Sequence, residues 1–124
     1  MRRIHLQTTE GVFEAILDDT PIAAALIQHL PFSTTANRWG DEIYCDVPFR
    51  MANTKPTRTV KVGDITYWPQ GPSLCVFFGP TPASQDEQPR PASDVTVVGY
   101  TDAPPARLRA VAEKTTIVIR SAAA

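Results

Sequence analysis

The stretch Thr59-Val60-Lys61-Val62-Gly63-Asp64-Ile65-Thr66-Tyr67-Trp68-Pro69-Gln70-Gly71-Pro72-Ser73-Leu74-Cys75-Val76-Phe77-Phe78 decides the fold class. Three short runs rich in β-branched and aromatic residues are separated by Gly63-Asp64 and by Pro69-Gln70-Gly71-Pro72, both turn-forming combinations. The pattern predicts a β-meander with strands over Thr59 to Val62, Ile65 to Trp68 and Leu74 to Phe78. Twelve prolines in 124 residues favour short strands and rigid turns throughout, because proline fixes φ and cannot donate to a ladder or a helix interior.

Upstream, Ile4, Leu6 and Thr8 alternate with His5 and Gln7, and Thr9-Glu10-Gly11 turns the chain into Val12 to Leu17, so a hairpin is expected. Asp18-Asp19-Thr20-Pro21 opens a helix, with Thr20 as N-cap, Pro21 at the first helical position and acids beside the positive end of the dipole. Ile22, Leu26 and Leu30 recur on one face, with Ala23 and Ile27 beside them, until Pro31 ends the helix. His29, in the last turn, is expected to complement the dipole or meet solvent. Phe32 to Ala36 reads as a strand, Asn37 to Asp41 as a connection, and Glu42 to Val47 as a strand closed by Pro48.

Residues 50–59 read as a polar surface loop, and Thr81 to Ser93, with Pro82, Pro89 and Pro91, as a long exposed one. Val95 to Tyr100 and Thr115 to Ile119 are further strands, and Pro104 to Ala112 a short helix turning Leu108 and Val111 inward. The expectation is one domain over residues 1–124, mainly β, whose strands form a closed or nearly closed barrel with one or two short helices.

The 43% hydrophobic and 20% charged content is that of an ordinary globular protein. Net charge is −1 and the Lys and Arg residues are scattered, so nucleic acid and anionic membranes, which both need clustered cations, are not expected partners. The longest strongly apolar run, Ile22 to Ile27, is too short to span a bilayer, and Met1-Arg2-Arg3 leads into an alternating strand instead of a leader; a cytoplasmic location is expected. Cys45 and Cys75 sit in strand patterns without a CxxC spacing, so they read as buried, reduced thiols; no metal and no cofactor are expected. No P-loop, dinucleotide fingerprint or Ser-His-Asp set appears.

Three ordered segments, Arg38-Trp39-Gly40-Asp41-Glu42-Ile43-Tyr44, Gly63 to Pro69 and Cys75-Val76-Phe77-Phe78-Gly79-Pro80-Thr81-Pro82, resemble a small stand-alone cyclophilin-like family of bacteria and archaea. Ala92 to Gly99 also fits, and with the hairpin and helix the likeness covers most of the chain. The resemblance implies a closed β-barrel with helices at its ends and carries no established activity. True cyclophilins are prolyl isomerases that rely on an arginine strand, pocket phenylalanines and a later tryptophan and histidine. Here the counterpart strand Ile43-Tyr44-Cys45-Asp46-Val47 offers an acid, and Val95 to Gly99 supplies no histidine and follows no tryptophan. Phe77-Phe78 matches the phenylalanine strand.

Aromatic side chains with polar tips suit the mouths of ligand pockets as well as cores. The candidate ligand-binding residues are Trp39, Glu42, Tyr44, Tyr67, Trp68, Phe77, Phe78 and Thr81, with Glu42 or its neighbour Asp41 able to orient a cationic or hydroxylated ligand and the amides near Thr81 able to meet a peptide carbonyl. The leading expectation is a non-catalytic binding domain taking a small molecule or an extended, proline-containing peptide. The alternative is a peptidyl-prolyl isomerase using a displaced arginine, Arg38, Arg50 or Arg58; a third is an interaction module.

Overall fold

The computed structural model describes residues 1–122. Strands β1 (Arg2–Thr8) and β2 (Gly11–Leu17) form the expected hairpin, pairing in register from Arg2 opposite Leu17 to Thr8 opposite Gly11. Alternation sends Ile4 and Leu6 of β1 and Phe13, Ala15 and Leu17 of β2 to the buried side. Helix α1 (Pro21–Gln28) begins at the Thr20 cap, whose side chain accepts from the Ala23 N–H at 3.3 Å. It buries Ile22, Ala23 and Leu26 in the main core. His29 is exposed; its Nδ1 lies 2.8 Å from the Ala25 carbonyl and its ring stacks on Phe49 at 5.2 Å.

Strands β3 (Phe32–Thr35), β4 (Asn37–Arg38), β5 (Glu42–Asp46), β6 (Asp64–Trp68), β7 (Ser73–Phe77), β8 (Thr96–Thr101) and β9 (Thr116–Ser121) complete one sheet in the order β3-β9-β1-β2-β8-β6-β7-β5-β4, every pair antiparallel. The two ends of this order, β3 and β4, are consecutive in the chain and joined through the fully buried Ala36, while β3 also lies against β5. The sheet thus rolls into a nearly closed nine-stranded barrel, which leaves little exposed edge. The short helix α2 (Pro105–Arg109) buries Leu108, and Val111 follows it into the same core.

Two expectations about strands are corrected. Residues Thr59 to Val62 form no strand: both edges of β6 are already taken, by β7 and β8, and the Asp64 carboxylate captures the Lys61 N–H at 2.8 Å in a turn. Only Thr57 pairs in that loop, as an isolated bridge to Val95. Conversely Asn37–Arg38, expected as a plain connection, pairs with Tyr44 and Ile43 as β4.

Every residue of β7 is buried, and it separates two apolar clusters. Leu74 and Val76 belong to the barrel core, whereas Cys75 and Phe77 belong to a second cluster with Val60 and Val95. Because successive side chains point to opposite faces, the second cluster lies on the outer face of β5, β7 and β6, roofed by the loops on either side of Thr57 and Val95.

Among the glycines, the tightest approach is where β8 pairs with β2: a Cβ on Gly99 would lie 2.2 Å from the Ile16 carbonyl oxygen. Gly99→Ala should therefore cost about 2–3 kcal/mol through forced strand displacement. Urea unfolding of the two proteins measures it, and a midpoint unchanged from the parent would show that the β2–β8 contact gives way freely.

Candidate ligand-binding site

On the outer face of the barrel, β5 presents Glu42 and Tyr44 while Ile43 and Cys45 turn into the core, and β7 presents Cys75 and Phe77. Register sets Tyr44 opposite Cys75 and Cys75 opposite Thr66, and Glu42 opposite Phe77. The turn from β4 to β5 adds Trp39, whose N–H donates to the Glu42 carbonyl at 3.0 Å. Trp68 comes from the end of β6; its indole N–H donates to Ser93 Oγ at 2.7 Å, tying the ring to the long loop. These side chains enclose a cleft of about 240 Å³, lined by Trp39, Glu42, Tyr44, Trp68, Cys75 and Phe77 and completed by Pro91, Ala92 and Val95.

Five of the eight candidate residues therefore meet in one cleft: Trp39, Glu42, Tyr44, Trp68 and Phe77. Tyr67, Phe78 and Thr81 do not line it. Tyr67 is fully buried in the barrel core, where its hydroxyl accepts from the Met51 N–H at 2.8 Å. Phe78 also packs in that core, with the Arg38 and Arg109 guanidinium groups over its ring at 5.1 and 5.7 Å. Thr81 holds its own loop together, its N–H donating to Ser84 Oγ at 2.9 Å and its hydroxyl to the Arg90 carbonyl at 2.5 Å. Strand alternation already forbids Tyr67 from sharing a face with Trp68. The same rule places Cys75 beside Phe77, a lining residue that the sequence reading left out; Pro91, Ala92 and Val95 carry no local signal.

Asp41 and Glu42 are neighbours with different surroundings. The Asp41 carboxylate is 2.9 Å from Arg109 Nη2 and 3.7 Å from Arg38 Nη2, outside the cleft. It packs directly over Gly79, where a Cβ would lie 2.3 Å from Asp41 Oδ2, so only glycine fits beneath it. Glu42 is 7% exposed and has no cation beside it among the described residues. Burial pushes its carboxyl up to about 7, against the opposing pull of a hydrogen bond with Cys75. Burial, and then the nearby Glu42 charge, hold the Cys75 thiol well above its ordinary value, while Cys45 is pushed up to about 12 chiefly by burial. Both thiols are free and stay protonated at neutral pH, which makes them poor nucleophiles. The Thr66 hydroxyl, across from Cys75, is buried with no hydrogen-bond partner among the described residues.

Among the described residues, no arginine lines the cleft. Arg38 donates to the Arg109 and Val111 carbonyls at 3.1 and 3.3 Å, Arg50 to the Pro69 carbonyl at 3.4 Å, and Arg58 to Asp94 at 2.9 Å. Among the described residues, no group of three or more His, Cys, Asp or Glu side chains converges as a metal site, and no helix is long and apolar enough to cross a membrane.

The nearly closed antiparallel barrel with two short helices defines the class, and residues 2–120 match the model of the Cyclophilin-like family. The chain belongs to that family. It is similar to the solution structure of the hypothetical protein AF2241 from Archaeoglobus fulgidus, at 33% identity over 98% of this chain and 95% of that one, with a TM-score of 0.79. Among curated proteins none matches.

The raised Glu42 value has a defined consequence for stability. The folded state holds the Glu42 proton more tightly than the unfolded chain does, so stability falls as pH rises from 4.5 to about 7 and levels off above that. The displacement corresponds to roughly 3 kcal/mol. Glu42→Gln should remove that loss, raising Tm at pH 8 by clearly more than at pH 4.5; equal shifts at both values would show an ordinary, solvated carboxyl. Separately, a thiol reagent should label Cys45 and Cys75 on the order of 100-fold more slowly in the native protein than in urea, because labelling waits for local opening.

Proposed function

We propose that this cyclophilin-like protein is a binding domain whose outer-face cleft takes a small molecule or one side chain of an extended peptide, without isomerase chemistry. The carrying observation is that Trp39, Tyr44, Trp68 and Phe77 share one cleft with Glu42 and, among the described residues, with no arginine. Its volume lies just below the common range of roughly 300–1,000 Å³ for ligand pockets, which suits a head group or a single side chain. Two buried free thiols support placing the chain in the reducing cytoplasm.

Prolyl isomerisation proceeds when a donor at the proline nitrogen weakens the amide resonance behind a barrier of about 18–20 kcal/mol. The arginines that the isomerase alternative would use are engaged with carbonyl groups or Asp94, and none of them lines the cleft among the described residues. Apolar walls bind substrate and transition state about equally, which gives affinity and little rate.

Both tryptophans of the chain line the cleft, so the intrinsic indole emission reports this site alone. Small aromatic or aliphatic probes should shift that emission saturably, and Tyr44→Ala should weaken the effect about tenfold. In a proline-peptide assay the cis form should decay at its spontaneous rate, over tens to hundreds of seconds at 25 °C. Robust turnover, abolished by Arg38→Ala, Arg50→Ala or Arg58→Ala in a folded protein, would overturn this reading in favour of an isomerase.

A further inference from the structure

Resting on that aromatic-cleft reading, we propose that the ligand is an organic cation, an ammonium or methylated ammonium group held between Trp39, Tyr44 and Trp68 and neutralised by the Glu42 carboxylate. The geometry selects this class in three ways. The walls are aromatic, and indole and phenol faces attract a desolvated cation through their ring quadrupoles. Among the described residues, Glu42 is the one acidic residue lining the cleft and no Lys, Arg or His lines it, so an anionic ligand finds no partner there and a cation finds one. A purely apolar ligand would leave a buried carboxyl with nothing to compensate it, whereas a cation makes the same group favourable.

The groups around Glu42 leave that vacancy of charge intact. On its own strand Tyr44 is a phenol, β7 presents the protonated Cys75 thiol, and β6 presents the Thr66 hydroxyl and Trp68. Asp64, at the other end of β6, is a second carboxylate on this face and is tied to the Lys61 N–H at 2.8 Å. Asp41 is committed to Arg109 and Arg38, and Pro91, Ala92 and Val95 bring no charge.

Binding of a cation selects the ionised form of Glu42, so the carboxyl releases its proton to solvent as the cation enters. The sign follows from linkage: below about pH 7 the free protein must give up a proton, and affinity falls as pH is lowered. Between pH 8 and pH 6 the loss should be about tenfold, with close to one proton released per cation at pH 6. A neutral ligand that accepts a hydrogen bond from the protonated carboxyl would show the opposite slope.

Choline and its uncharged carbon isostere 3,3-dimethylbutan-1-ol test the proposal on the full chain, read by the two indole N–H signals in NMR and by titration calorimetry in two buffers of different ionisation enthalpy. Choline should move both indole signals, bind at least tenfold tighter than the isostere at pH 8, and lose about tenfold in affinity at pH 6. Glu42→Gln should weaken choline at least tenfold at pH 8 and abolish the pH dependence while leaving the isostere unchanged. If the isostere binds as well as choline, or choline binding ignores pH in the parent protein, the cation proposal falls and the aromatic-cleft reading stands. If neither probe moves the indole signals, both fall together.

Discussion

Strand β7 is buried on both faces, and the rest of the molecule depends on that constraint. Leu74 and Val76 fill the barrel while Cys75 and Phe77 face outward, and neither set can be left in water. A barrel strand with an apolar outer face requires a cover, and the two long loops provide it. Because the cover is made of turns and prolines instead of a packed helix or sheet, it does not fill the surface completely, and the cleft is the space left between Trp39, Trp68 and the Pro91–Ala92 rim.

The partition of charge around this cleft is as consequential as its shape. Two adjacent acids meet different environments: Asp41, in the turn before β5, lies against Arg38 and Arg109, whereas Glu42, the first residue of β5, faces the apolar cleft. The first fastens the β4–β5 turn to α2 and to the backbone at Gly79. The second is left without a cation and shifts toward neutrality by burial. Because burial favours its neutral form, the folded chain loses stability as pH rises through the shifted value.

Membership of the Cyclophilin-like family settles the architecture and leaves the chemistry open, since one barrel hosts unrelated functions. The isomerase name attached to the wider fold depends on a polarising arginine in the pocket. Here arginines brace the frame: Arg38 is bound to carbonyls and lies over Phe78, and Arg109 holds Asp41. The outer-face cleft is aromatic, and the charged side chain lining it is the carboxyl of Glu42.

The amino-acid sequence by itself determined the elements that depend on local chemistry. Period-two alternation set the hairpin from Arg2 to Leu17, Thr20 and Pro21 set the start of α1, and the glycine and proline turns set the boundaries of β6 and β7. It also marked the aromatic set, and alternation within β6 and β7 contained enough to separate Trp68 and Phe77 from Tyr67. Tertiary structure decided what depends on partners distant in sequence. Residues 59–62 have strand-forming side chains but no free edge to pair with, Asn37–Arg38 has weak propensity but an available one, and Pro91 and Ala92 reach the cleft only because the loop folds back over β7. Pairing, burial and the placement of each arginine are properties of which strands become neighbours, and sheet order is set by the closure of the whole barrel rather than by any one segment.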